Sequence, residues 1–276
     1  MGLSRSGYNS YKSRKDSLTS QERRKRQLKV EIEEIYLDSW QIYGAPKITV
    51  ILRFRGHKVS EKTVGNYMRE MGLRARYIKP YTVTTIDPDF DNSLKNFLKN
   101  NYNPEEPNEV WCSDITYIST KDGFCYLTTI MDLFSRRIIA WELSTTLEAK
   151  WVLKRIDKAI SKRMGARPAI FHSDRGSQDL SDIVLAKLDE VQTSYAQKAS
   201  PWQNACIESF HALIKREWLY NYEIESYEHA RRLVFEYIDA FYNTVRIHSH
   251  CDYLSPQQYE ELHASKHTQR KDETAA

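Results

Sequence analysis

The chain has 276 residues, 41% of them hydrophobic and 12% aromatic, with a net charge of +4. That composition is too apolar for a disordered protein. The length allows one large domain or two smaller ones. No apolar run approaches the roughly 18 residues of a membrane span, and no apolar signal region follows Met1. The four cysteines, Cys112, Cys125, Cys206 and Cys251, are scattered and form no CxxC pair. They suit a reducing cytosol and argue against a disulfide scaffold or a zinc ribbon. The charge is unevenly placed. Residues 1–30 hold nine Lys/Arg against two acids, and residues 31–80 hold nine against six, so the remainder is net acidic. A basic N-terminal end points to a polyanionic partner.

In chain order, Thr19 and Glu22 form a capping-box pattern, and Leu28, Ile32, Ile35/Tyr36 and Trp40 follow at helical spacing. A helix is predicted over 20–42. Gly44 and Pro46 punctuate the chain, and Ile48, Ile51 and Leu52 mark a second helix that stops at Gly56. Ser60 caps a third, with Val64, Met68 and Met71 inward and Gly72 as its stop. Two short helices across a glycine-containing turn read as a helix-turn-helix or as a small bundle without DNA contacts, and spacing leaves both readings open. Pro80, Pro88, Pro104 and Pro107 punctuate a stretch without periodicity, read as a linker. The predicted organisation is a basic arm (1–30), a helical domain (31–80), a linker (81–105), a catalytic core (106–222) and a C-terminal helical extension (223–276).

From 110 the pattern alternates between strand and helix. Strands are predicted over 110–119, 125–134 and 137–143, the first two joined by a tight turn at 121–124. A helix over 147–164 carries Trp151, Leu153, Ile156 and Ile160 inward. A strand (168–172), a helix (180–188), a strand (193–196) and a helix (205–220) follow. One more helix is expected over 227–243, then a polar loop (246–250) and a closing segment (256–262). This order makes a mixed five-stranded α/β sheet with flanking helices, the ribonuclease H-like arrangement.

Three carboxylates stand out. Asp114 lies inside an apolar β-run, where an unpaired charge is costly. Asp174 ends a short strand before Arg175-Gly176. Glu208 shares a helix face with Asn204, His211 and Lys215. Each has a plain alternative: a strand ion pair, a helix cap and a solvated side chain. In a ribonuclease H-like layout the three converge into an all-oxygen site suited to Mg²⁺ or Mn²⁺. His248, His250 and Cys251 lack the two-pair spacing of a zinc site.

The surrounding motifs carry a resemblance. Trp111-x-x-Asp114-Ile115-Thr116-Tyr117, His172-Ser173-Asp174-Arg175-Gly176-Ser177-Gln178 and Pro201-Trp202-Gln203-Asn204-Ala205-Cys206-Ile207-Glu208-Ser209-Phe210 resemble the three acidic motifs of integrase-type transposases. Tyr242-Asn243-x-x-Arg246-x-His248-Ser249 and Ser255-Pro256-x-x-Tyr259-Glu260 resemble their C-terminal signature. On these motifs the chain is identified as a member of the OrfB-type transposases of the insertion-sequence-three family. It departs from them in a shortened interval between Asp174 and Glu208, in Asp179 where an aromatic is common, and in Lys198-Ala199-Ser200-Pro201.

The resemblance implies an enzyme that cuts and rejoins DNA at element ends with two Mg²⁺ or Mn²⁺ ions, held by Asp114, Asp174 and Glu208. It implies DNA contacts from Lys215, Arg175 and Asn204, to which the charge reading adds Arg23, Arg24, Lys25 and Arg26. His172 and His211 are candidates for supporting the ligands from behind, and His172 equally for an ordinary core histidine. An OrfA-type partner or fusion, a homo-oligomer on DNA, and a bacterial cytoplasmic, nucleoid-associated location are also implied. The competing readings are a ribonuclease H-like nuclease without strand transfer, and a DNA-binding regulator that has lost a carboxylate. All three carboxylates are present.

Overall fold

Thr19 opens the first helix as its sequence predicts. Its hydroxyl accepts from the Glu22 amide at 3.2 Å, and the Glu22 carboxylate accepts from the Thr19 amide at 2.7 Å. In this computed structural model the described residues are 6, 8–9, 19–77, 96–98, 103–174, 181–196 and 204–275, with Asp182 and 270–275 as backbone alone. The chain divides into two units, Met1–Arg76 and Tyr77–Ala276.

In the first unit α1 (Ser20–Asp38) buries Leu28, Ile32, Ile35 and Tyr36. A segment boundary at residue 30 therefore falls inside one continuous helix. The helix ends before the expected residue 42 because Trp40 and Gln41 turn into the left-handed region, with φ of 54° and 65°. That turn delivers Ile42 and Tyr43 to the interior. Helix α2 (Ala45–Phe54) starts at Gly44, with Pro46 in its first turn, where a missing amide proton costs nothing. Helix α3 (Glu61–Glu70) is capped by Ser60, whose hydroxyl accepts from the Thr63 amide at 3.2 Å. Gly56 and Gly72 close α2 and α3 at φ of 88° and 72°, a region any Cβ would strain. Met71, expected inward, caps α3 and is only half-buried, as is Ile51.

The second unit is built on a five-stranded sheet in the order β3-β2-β1-β4-β5. Strand β1 (Val110–Thr120) pairs antiparallel with β2 (Gly123–Asp132), and β2 with β3 (Arg137–Ser144). On its other side β1 runs parallel to β4 (Ile170–Ser173), and β4 to β5 (Gln192–Tyr195). This is the ribonuclease H-like sheet. The first hairpin is tighter than the expected 121–124, because Thr120 pairs with Gly123. Strand β2 stops at 132, not 134. The Asp132 carboxylate accepts from the Phe134 amide at 3.1 Å, a turn that withdraws Leu133 and Phe134 from the ladder.

One sheet face is covered by α4 (Ala149–Lys162) and α5 (Asp182–Lys187), both shorter than predicted. Trp111, Ile130, Phe171, Val152, Ile156, Ala159, Val184 and Leu188 form the core there. Of the predicted repeat on α4, Ile156 is fully buried and Leu153 and Ile160 pack against this core, while Trp151 stands aside from it. Trp151 is half-exposed, its indole donating to Thr146 at 3.1 Å, and fully buried Arg155 takes a place on the buried face.

The other face receives α6 (Ala205–Glu217), which ends before the predicted 220 in a 3₁₀ turn, Leu219–Asn221. Helix α7 (Tyr227–Phe235) does not continue evenly to 243. It widens into a π turn, Glu236–Tyr242, so that Tyr237, Ile238, Phe241 and Tyr242 all point inward. Phe210 of α6 meets Tyr242 edge-on at 4.7 Å. The expected polar loop at 246–250 is partly interior: Arg246 is buried in a bidentate pair with Glu217, at 2.8 and 2.7 Å. His250 and Cys251 contact the Phe134 and Ser135 carbonyls. Helix α8 (Pro256–Ala275) runs well beyond the predicted 262. Residues after 222 thus belong to the same unit as the sheet.

Candidate active site

Alternation along β1 decides which way Asp114 faces. Trp111 enters the core under α4, so Asp114, three residues on, points to the opposite face, toward α6. Its cross-strand partner is Thr129 of β2. One carboxylate oxygen accepts from the Ile115 amide at 2.8 Å, and the other lies 3.1 Å from His211 Nδ1. The remaining His211 nitrogen, Nε2, is 2.8 Å from the Thr129 hydroxyl. An ionised carboxylate only accepts, so Nδ1 carries the proton, and in the neutral ring Nε2 accepts from Thr129. A buried imidazole therefore links the first strand, its neighbour and α6. Arg155, from the far face, donates to the Thr129 carbonyl at 3.3 Å and secures that strand.

Helix α6 presents Glu208 in its first turn and Lys215 two turns on. Asp114, Thr116, Glu208, His211, Lys215 and Tyr220 border one cleft of about 280 Å³. Glu208 reaches solvent, yet its carboxyl is raised above the usual range by partial burial and by the negative charge of Asp114. Burial lowers the Lys215 ammonium, and Asp114 opposes that shift. The Lys215 ammonium sits 4.4 Å from the centre of the Tyr117 ring, a cation–π contact.

Asp174 follows the last residue of β4. The parallel register pairs Ser113 with Ser173, and carried one residue further it sets Asp174 beside Asp114. Asp174 is exposed. The sheet register thus carries Asp174 toward Asp114, and α6 brings Glu208 into the cleft that Asp114 borders.

The other predicted residues divide. His211 stands against Asp114, as described. His172 is fully buried, with Nδ1 3.0 Å from the Ser194 hydroxyl on β5, the placing of a hydrogen-bonded core histidine. Asn204 is the buried N-cap residue of α6, and its side-chain oxygen has no hydrogen-bond partner among the described residues. Arg175, Asp179 and 198–201 lie outside the described residues, as does most of the 81–105 stretch. In the first unit Arg24 donates to the Lys58 carbonyl at 2.7 Å, and Lys25 shares Glu70 with Lys29, each at 2.8 Å. Arg23 and Arg26 are exposed on α1. Thr129 does not stand out in the sequence, and Tyr117 does so only as part of the first acidic motif. The alternation of β1 and β2 was a signal for them, but only the strand register names them.

The sequence comparisons agree with this layout. A family described as "Integrase core domain" matches residues 104–204, a second of the same description matches 189–256, and "HTH-like domain" matches 22–81. The transposase InsF for insertion sequence IS3A of Escherichia coli is 32% identical over 260 residues, covering 94% of this chain and 90% of that protein. The chain belongs to the IS3-family transposases. The transposase for insertion sequence element IS904 of Lactococcus lactis is 34% identical over 239 residues, 86% of this chain and 94% of that relative. Among solved structures, a chain of the simian T-cell lymphotropic virus intasome aligns with 82% of this transposase and 73% of its own length, at 16% identity and a TM-score of 0.48. The HTLV-2 integrase catalytic core in complex with magnesium aligns over 56% of this chain and 97% of its own, at 16% identity and a TM-score of 0.44. DNA transposition and recombination are the function that goes with this family, and the first unit of the transposase is its HTH-like domain. No helix among the described residues is long and apolar enough to cross a membrane.

Proposed function

We propose that this transposase cleaves and rejoins DNA at insertion-sequence ends by in-line phosphoryl transfer, with Asp114, Asp174 and Glu208 as the catalytic, metal-holding carboxylates. The observation that carries the reading is the meeting of Asp114 and Glu208 in one cleft with Lys215, where partial burial and then the Asp114 charge raise the Glu208 carboxyl. A carboxyl whose ionised form is disfavoured by a neighbouring negative charge is suited to a cation beside it, and an all-oxygen donor set suits a hard divalent ion. When bound, two Mg²⁺ or Mn²⁺ ions supply an activated water or 3′-hydroxyl nucleophile and charge neutralisation at the leaving oxygen. The chain's own residues do the rest. Asp114, Asp174 and Glu208 would hold the ions, and His211 keeps the Asp114 carboxylate in one orientation. Lys215 takes a backbone phosphate near the cut end, and Asn204 and Arg175 make further DNA contacts. No serine or tyrosine nucleophile is required.

The HTH-like unit and its basic leading segment, with Arg23 and Arg26, hold duplex phosphates. An OrfA-type partner or fusion supplies recognition of the element ends, and a homo-oligomer brings two ends together.

The test is a labelled duplex with a pre-processed 3′ end, incubated with the protein and Mg²⁺ or Mn²⁺. Strand-joined products are expected, and bare nicks alone would instead identify a nuclease. Asp114→Asn, Asp174→Asn and Glu208→Gln should each abolish joining while leaving the fold and duplex binding intact. Joining that survives any of the three removes that residue from the site.

A further inference from the structure

Far along the sequence from the catalytic carboxylates, α8 carries His263 and His267 one helical turn apart, so both rings stand on one face. Opposite them is Glu106, in the turn that leads into β1. His263 Nε2 lies 3.6 Å and His267 Nε2 3.0 Å from the same oxygen, Glu106 Oε1. The ligand atoms of all three residues lie within 4.8 Å of one another, the one such convergence of three among the described residues.

We infer that Glu106, His263 and His267 form a binding site for a borderline-soft divalent cation, zinc or a close equivalent, that clamps α8 onto the entry to the catalytic sheet.

Three observations carry this. First, a tetrahedral ion with bonds of about 2.0 Å to nitrogen and oxygen needs ligand atoms about 3.3 Å apart. The two nitrogen–oxygen distances, 3.6 and 3.0 Å, straddle that spacing. Second, an ordinary ion pair brings one protonated imidazole to a carboxylate. Here two imidazoles converge on one oxygen with ring centres 4.4 Å apart, an arrangement in which two positive rings would repel. Two neutral imidazoles and a carboxylate around one cation remove that conflict. Third, the site is held and open at once. The Phe134 ring meets the His263 ring edge-on at 4.7 Å. The three side chains retain 23–48% exposure, room for a water in the fourth position. Imidazole nitrogens favour zinc, cobalt or nickel over magnesium, so the donor set separates this site from the all-oxygen one.

The experiment uses the full chain carrying Asp114→Asn and Glu208→Gln, to silence the catalytic carboxylates, with Co²⁺ as a visible probe. One equivalent should bind, with the absorption bands of four- or five-coordinate cobalt. Zn²⁺ should displace it, and a large excess of Mg²⁺ should not. His263→Ala, His267→Ala and Glu106→Gln should each weaken binding by at least about tenfold. Zn²⁺ should slow amide exchange in α8 of the parent and not of the His263→Ala variant. These are solvent-facing substitutions, and an unchanged circular dichroism spectrum confirms that the variants fold. Absence of the cobalt bands, or bands that survive the double variant His263→Ala/His267→Ala, overturns the site. Neither result depends on strand transfer, so the catalytic assignment stands or falls separately.

Discussion

His211 shows how much of the proposed active site is support. Its ring spans from the Asp114 carboxylate to the Thr129 hydroxyl at 3.1 and 2.8 Å, and it is almost fully buried. It touches no reacting atom in the proposed reaction, so it is a positioning residue. Removing such a partner behind a metal ligand typically costs about 10–100-fold in metal affinity or activity. His211→Ala should lower strand transfer by that amount and raise the Mg²⁺ concentration needed. His211→Asn, whose amide nitrogen reaches where Nδ1 does, should recover part of the loss. Wild-type metal dependence in His211→Ala would show that Asp114 needs no such support. The sequence marked His211 through its helix face with Glu208. It could not mark Thr129, because that residue enters only through the pairing of β1 with β2.

At the scale of elements, ionic locks fasten the C-terminal helices to the sheet. Glu260 of α8 accepts from Arg137 at 2.7 Å, from Arg163 at 2.9 and 2.6 Å and from Ser135 at 2.6 Å. Arg163 also donates to Asp132 at 2.9 Å. Breaking a buried pair by removing one partner costs about 3–5 kcal/mol, since the other charge stays buried. Glu260→Gln should lower stability by an amount of that order, read as the midpoint of urea unfolding. The pH dependence has a definite sign. Burial acts to raise the Glu260 carboxyl, but Arg163, Ser135 and Arg137 outweigh it and hold the group below its usual value. Its contribution is therefore present above the unfolded value of 4.5 and lost as pH falls through the lower folded value. Asp132 has the opposite slope. Burial pushes it up to about 6, so its ionisation weakens the fold as pH rises from 3.8 to that value. Glu260→Gln should flatten the loss of stability below pH 4.5, and an unchanged acid limb would show that Glu260 carries none of it. None of this was legible in the sequence. Asp132, Arg163 and Glu260 sit on β2, after α4 and on α8, and no local pattern joins them. The same is true of the Glu217–Arg246 pair, hidden in what read as a polar loop. Element ends were misjudged for a related reason. Periodicity reports which face is apolar, while the stop is set by a cap, a turn or a tertiary contact, such as the Asp132 turn that ends β2.

Over the whole molecule, the basic excess at the N-terminal end predicts salt-sensitive DNA binding. The slope of log affinity against log salt should fall by about one for each cation lost from a phosphate contact. Arg26→Ala, at an exposed position on α1, should reduce the slope by about that much. Lys25→Ala should reduce it less, because Lys25 is drawn toward Glu70. Equal effects would mean that the Glu70 pair opens when DNA binds. The sequence by itself determined the strand and helix order, the apolar core under α4 and the three carboxylates. Those depend on local periodicity and on residue chemistry within single segments. Only the tertiary structure decided that His211 and Thr129 stand behind Asp114, and that the residues after 222 close the same unit. It alone also brought Glu106 to His263 and His267. Each depends on strand register or on which helix covers which face, and those are settled by packing between segments far apart in the chain.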